Sequence, residues 1–150
     1  MRAFRNLILA LWLGGGAALI AIAAPAAFKA APTPTAAADV VGAMLARWHY
    51  LEILAPVIVL AIELIRSRPR QGIRIVLLAA AVLLGSIQIG LDLQIRSIRE
   101  NSPIPISLLS RDHPTRRRFG LFHGLSSLAM LLQVVTAAGV VVAEEEQSPT

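Results

Sequence analysis

The sequence predicts an all-α protein, a four-helix antiparallel transmembrane bundle, on three observations. Of its 150 residues, 56% are hydrophobic and only 15% are charged, against roughly 25% charged in a soluble domain. The apolar residues gather into four long runs, each close to the roughly 20 residues that a helix needs to cross the hydrocarbon core. The connections between the runs are short, which sets successive helices antiparallel. A chain of this length is expected to form one domain, here residues 1–150, with helices over about 5–28, 47–65, 74–98 and 119–143 and a polar tail at 144–150.

The first run, Leu7 to Ala24, holds eighteen residues without a charge, follows Arg2 and Arg5, and extends to Phe28. A secretory signal is the rival reading, with Ala24 to Ala26 as its cleavage site. The run exceeds the roughly 7–15 residues of a signal core, which favours a retained helix. Pro32 and Pro34 in "AAPTPTAAAD" then break the helix into a short loop, and Asp39 is placed to cap a helical approach to the next span. That second span, Trp48 to Ile65, is interrupted by Glu52 and Glu63. It also carries Pro56, which a membrane helix tolerates where neighbours satisfy the freed carbonyl. "RSRPRQGIR", Arg66 to Arg74, reads as a tight basic turn. The third span, Ile75 to Leu91, has seventeen uncharged residues and continues past Asp92 towards Arg99. "ENSPIPISLLSRDHPTRRR" is the longest connection, broken by Pro103, Pro105 and Pro114. The fourth span, Phe119 to Ala143, carries no formal charge with His123 neutral.

Fourteen basic residues against nine acidic ones give a net charge of +5, and thirteen of the fourteen are arginine. They sit between the apolar runs, as residues flanking membrane spans do, and not along a groove-binding surface. Nucleic acid is therefore excluded as a partner, and the lipid bilayer takes its place. Without cysteine, disulfides, thiolate metal sites and thiol redox chemistry are excluded as well. Six arginines fall on the side of Arg2 and Arg66, and eight basic residues on the side of Lys29 and Arg116, too even a division to set the orientation.

In such a bundle the start of the second span, the end of the third and the start of the fourth share one membrane face. His49 and Glu52 open the second span, Gln88, Asp92 and Arg96 close the third, and His123, Ser126 and Ser127 open the fourth. Helical spacing groups His49, Glu52, Pro56 and Glu63 on one stripe, Gly85, Gln88, Asp92 and Arg96 on a second, and Gly120, His123, Ser127 and Met130 on a third. Ionisable groups facing lipid are costly, so all three stripes are expected to turn inward around a polar vestibule. Each member also has a structural reading: a serine returning a hydrogen bond to its own helix, Asp92 with Arg96 as a local ion pair, Glu63 neutralising the arginine turn, and Arg116 to Arg118 as a headgroup anchor. "WLGGGA", Trp12 to Ala17, suits close helix approach through small residues. His49 and His123 are a candidate pair of ligands for haem or a divalent metal, with Glu52 or Asp92 behind them.

"FGLFHGLSSLAML", Phe119 to Leu131, resembles the closing signature of the transmembrane protein 205-like family (domain of unknown function 4149), in which an aromatic residue precedes His-Gly-Leu-Ser. "LALWLGGG" from Leu9, "APAAFKA" from Ala24 and "VGAMLARWHYLEI" from Val41 are similar to other conserved blocks of that family, so the resemblance spans about Leu9 to Val142. Ala129 and Met130 stand where members often carry Asn. The resemblance implies a small multi-helix integral membrane protein and singles out Trp12, Gly14, Gly15, Pro25, Phe28, His123, Gly124 and Ser126. It supplies no mechanism.

The expectation is therefore a non-enzymatic, multi-pass protein of the plasma (cytoplasmic) membrane, without catalytic residues or an assigned cofactor. It would bind a partner protein, lipid or small molecule in the vestibule. A haem- or metal-binding protein using His49 and His123, and a small-molecule or ion transporter working as a homo-oligomer, are the alternatives.

Overall fold

A computed structural model of the chain describes residues 2–66 and 72–145. Most of the predicted basic turn, 67–71, and the end of the tail, 146–150, lie outside the described residues. The described residues include four helical rods, each long and apolar enough to cross a membrane.

The first rod is composite. Helix α1 (Arg2–Ala18) passes into a π-helical turn (Leu19–Ala23) and then into α2 (Ala24–Ala30). Pro25 explains the wide turn. A proline in a regular helix clashes with the carbonyl four residues back, and a π turn is a known way to accommodate it. The Ala24 N–H accordingly donates to the Leu19 carbonyl, five residues back.

The second rod, α3 (Pro34–Arg66), starts well before the expected position 47. Pro34 was expected to break structure, yet it begins a helix. A proline in the first turn gives up an N–H that would have no partner there anyway, and Thr33 Oγ1 accepts the Ala36 N–H at 3.1 Å as the cap. Asp39 is consequently inside the helix, and its carboxylate pairs with Arg99. Helix α4 (Gly72–Glu100) follows the predicted third span closely. Helix α5 (Pro114–Glu145) again begins at a proline expected to lie in a loop. The Arg116 to Arg118 run therefore belongs to its first turns, and a short 3₁₀ turn (Ile106–Leu108) lies in the connection before it.

The rods pack in a ring, α1 on α3, α3 on α4, α4 on α5 and α5 back on α1. Cross-helix pairs between α4 and α5 run in opposite order, Gln88 with Ser126, Ala81 with Gln133 and Leu77 with Gly139, as antiparallel neighbours require. Leu9, Trp12, Ala55, Val59, Leu78, Ala81, Ala137 and Val140 form the apolar core. Much of the remaining apolar surface faces outward, as expected where lipid and not water is the solvent.

Two close approaches fix the upper half of the bundle. A side chain on Gly15 would collide with the Trp48 ring, so α1 meets α3 there only because position 15 is glycine. A Cβ on Gly85 would sit 2.7 Å from Ile53 and 3.5 Å from the Glu52 carbonyl. That carbonyl is the one which Pro56, four residues later, cannot supply with an N–H.

At the opposite end, Glu63 lies between two arginines. Arg5 Nη1 approaches it at 2.9 Å and Arg74 pairs with the same oxygen, with all three side chains at 2% exposure or less. The expected neutralisation of the basic turn by Glu63 is thus made with Arg74, and α1 contributes a second guanidinium.

Candidate functional site

Three positions within one helical turn of α3, Trp48, His49 and Glu52, organise the polar interior. Glu52 Oε1 accepts the Trp48 indole N–H at 2.9 Å, and Oε2 lies 2.9 Å from His49 Nδ1. An ionised carboxylate only accepts hydrogen bonds, so opposite a charged Glu52 the donor is His49 Nδ1–H. Glu52 and His49 are 1% and 4% exposed. Trp48 links this group to α1, because its ring covers Gly15 and reaches Gly16.

Facing them, Gln88 Nε2 donates to Ser126 Oγ at 2.7 Å, and Gln133 Nε2 donates to the Ala81 carbonyl at 2.8 Å. Both glutamines are buried, and their Oε1 atoms meet no donor among the described residues. Gln133 escaped the sequence reading. Its signal was an amide seven residues beyond Ser126, deep in an apolar run, where a polar side chain must turn inward.

The α3 stripe is buried as expected, from His49 through Glu52 and Pro56 to Glu63. The α4 stripe is buried at Gly85 and Gln88 only. Asp92 and Arg96 pair with each other at 3.1 Å, with the Arg96 side chain half exposed, as a local ion pair. The α5 stripe is corrected by one position. Gly120, His123 and Ser127 are exposed, and the buried line is Ser126, Met130, Gln133, Ala137 and Val140. His123 stacks on Phe119 at 5.7 Å between ring centroids. Ser127 Oγ donates to the His123 carbonyl at 2.9 Å. Close to a membrane face these groups find water, headgroups or their own backbone, so nothing forces them inward. His49 and His123 are therefore not brought together: one turns to Glu52 inside the bundle, and the other is exposed on the far helix. Among the described residues no three His, Asp or Glu side chains gather.

A cavity of about 750 Å³ opens where the start of α3, the end of α4, the connection after it and the start of α5 meet. Arg96, Arg99, Arg116, Asp39 and Glu100 give it charge, and Ile104, Ile106 and Phe119 give it apolar wall. Asp39 precedes His49 by ten residues, Arg96 follows Gln88 by eight, and Gly120 precedes Ser126 by six. At 1.5 Å per residue the buried polar layer lies roughly 9–15 Å further in along each helix.

The family model described as a domain of unknown function (DUF4149) matches residues 7–98. The chain belongs to this family. The DUF4149 segment runs from within α1 through nearly all of α4, so Trp12, Gly15, Trp48, His49, Glu52 and Gln88 fall inside it. The Phe119 to Leu131 block on α5 falls outside it. No curated protein and no solved structure matches the chain. Of the positions singled out by resemblance, Trp12 is core, Gly15 lies under Trp48 and Ser126 joins the polar layer. Gly14, Pro25, Phe28, His123 and Gly124 are exposed.

Proposed function

We propose that this DUF4149 protein is a non-catalytic, multi-pass protein of the plasma membrane that takes up a ligand in the cavity at its arginine-bearing face. The observation that carries the reading is the cavity itself, about 750 Å³ and lined by both guanidinium groups and apolar side chains. Small-molecule sites commonly fall in the range of roughly 300–1,000 Å³ and combine apolar walls with a few placed polar groups. Binding of this kind needs no cofactor and no chemical step. Gly120 offers the test, because it borders the cavity and has open space where a side chain would project. Gly120→Trp should fill the cavity without disturbing the bundle. Organic extraction and mass spectrometry of the purified protein should find a co-purifying molecule that the variant lacks. If wild type and Gly120→Trp carry the same complement, the cavity is not a ligand site.

Transport by an oligomer is a second reading, favoured by the buried Glu52 carboxylate and by the Gln88 and Gln133 oxygens, which meet no donor among the described residues. Its test is a flux in proteoliposomes that disappears in Glu52→Gln, and no difference between protein-containing and empty vesicles would end it.

A further inference from the structure

We propose that the cavity bounded by α3, α4 and α5 seats the headgroup of an anionic phospholipid; the proposal rests on the reading of that cavity as a ligand site. Three guanidiniums border it, Arg96 and Arg99 from the end of α4 and Arg116 from the start of α5, beside two lining carboxylates, Asp39 and Glu100, and with Asp92 paired to Arg96. Their bonds leave donors free in number. Arg96 meets Asp92 through Nε, Arg99 meets Asp39 through Nη2, and Arg116 meets the Leu109 carbonyl through Nη1, whereas each guanidinium offers five N–H groups. A planar fork of such donors suits phosphate. The first turn of the long helix α5 adds the positive end of its dipole at the same place.

The apolar part of the site selects a lipid over a soluble phosphate. The connection that walls the cavity holds Ile104 at 45% exposure and Leu108 at 71%. Large apolar side chains on a loop beyond the end of a membrane helix are poorly placed in water and well placed at the headgroup–acyl boundary. Arginines and an exposed isoleucine lining one cavity match a molecule that is acidic at one end and hydrocarbon at the other.

The full chain would be placed in nanodiscs with equal phosphatidylglycerol and phosphatidylcholine, and retained lipid read by native mass spectrometry. Phosphatidylglycerol should be retained about tenfold over phosphatidylcholine, the scale of one to two arginine–headgroup contacts. Arg96→Gln with Arg116→Gln should bring the ratio near one. Arg117→Gln with Arg118→Gln should preserve it, since those exposed arginines lie outside the cavity wall. Ser107→Glu puts a carboxylate against the seat while keeping every arginine, and carries the same expectation as the first pair should that pair fail to fold. Equal retention of the two lipids in wild type, or equal loss in both arginine pairs, would overturn the proposal. So would displacement of phosphatidylglycerol by millimolar glycerol 3-phosphate, which would assign the seat to a soluble phosphate ester. If no anionic lipid is preferred but Gly120→Trp still removes a co-purifying molecule, the lipid assignment fails and the cavity stands as a ligand site. If Gly120→Trp changes nothing either, both fall.

Discussion

The ring of Trp48 occupies the space that any side chain at Gly15 would need. Gly14, one residue earlier, faces open space. Alanine at the two positions should therefore act in opposite directions. Gly15→Ala must push Trp48 aside and should cost about 1–3 kcal/mol, the usual penalty for overfilling a packed contact. Gly14→Ala should be neutral or stabilising by up to about 1 kcal/mol, from lower backbone entropy in the unfolded chain. Thermal unfolding of the two variants in the same detergent measures the difference, and equal midpoints would mean that α1 does not rest on Trp48.

Glu63 should matter more than any other acidic residue described. Glu63→Gln removes the buried carboxylate that both Arg5 and Arg74 contact, and breaking a buried ion pair costs about 3–5 kcal/mol. Asp39→Asn removes the partner of Arg99 at a site where the side chains are 62% and 33% exposed, and should cost less than about 1 kcal/mol. Both variants can be compared by detergent unfolding curves.

The α4–α5 seam predicts a coupling. Gln88→Leu and Ser126→Ala should each destabilise the bundle, and the double variant should lose about 0.5–1.5 kcal/mol less than the sum of the two, as the shared hydrogen bond is counted once. Ser127→Ala, whose hydroxyl bonds to the His123 carbonyl of its own helix, should show no coupling with Gln88→Leu.

His49 and His123 should behave independently. Purified protein should be colourless and without stoichiometric metal by elemental analysis. His49→Ala should lower thermal stability by removing a buried partner of Glu52, a loss of about 1–3 kcal/mol. His123→Ala removes an exposed stacking contact and should change it by no more than about 0.5 kcal/mol. A Soret band or bound metal lost in both variants would reinstate the pair as a cofactor site.

Length, charge and apolar runs were enough to read the bundle, because lipid imposes one rule on every spanning segment. The α3 stripe was legible for the same reason: His49, Glu52 and Glu63 are ionisable or polar groups on one face, and only the interior can hold them. Reading failed where two solutions cost nearly the same. Pro34 and Pro114 can end one element or begin the next, and the choice lay in Thr33 and in the room available before each helix. On α5, Ser126 and Ser127 are neighbours of identical chemistry, and only Gln133, two turns on, separates the inward line from the outward one. The Arg5–Glu63–Arg74 group was half visible, since Glu63 lies near the arginine turn in sequence while Arg5 comes from fifty-eight residues away.

The π turn at Leu19–Ala23 has an effect on everything downstream of it. One extra residue in a turn rotates the following segment by about 100°. Trp12 and Gly15 therefore dock inward on one phase of the first rod, while Pro25 and Phe28 run on another. The rod is two helices welded out of step, and its first half can stay clamped on Trp48 whatever face its second half presents. A one-residue deletion inside Leu19–Ala23 would bring the halves back into step and swing Phe28 and Lys29 round the axis, leaving the clamp untouched.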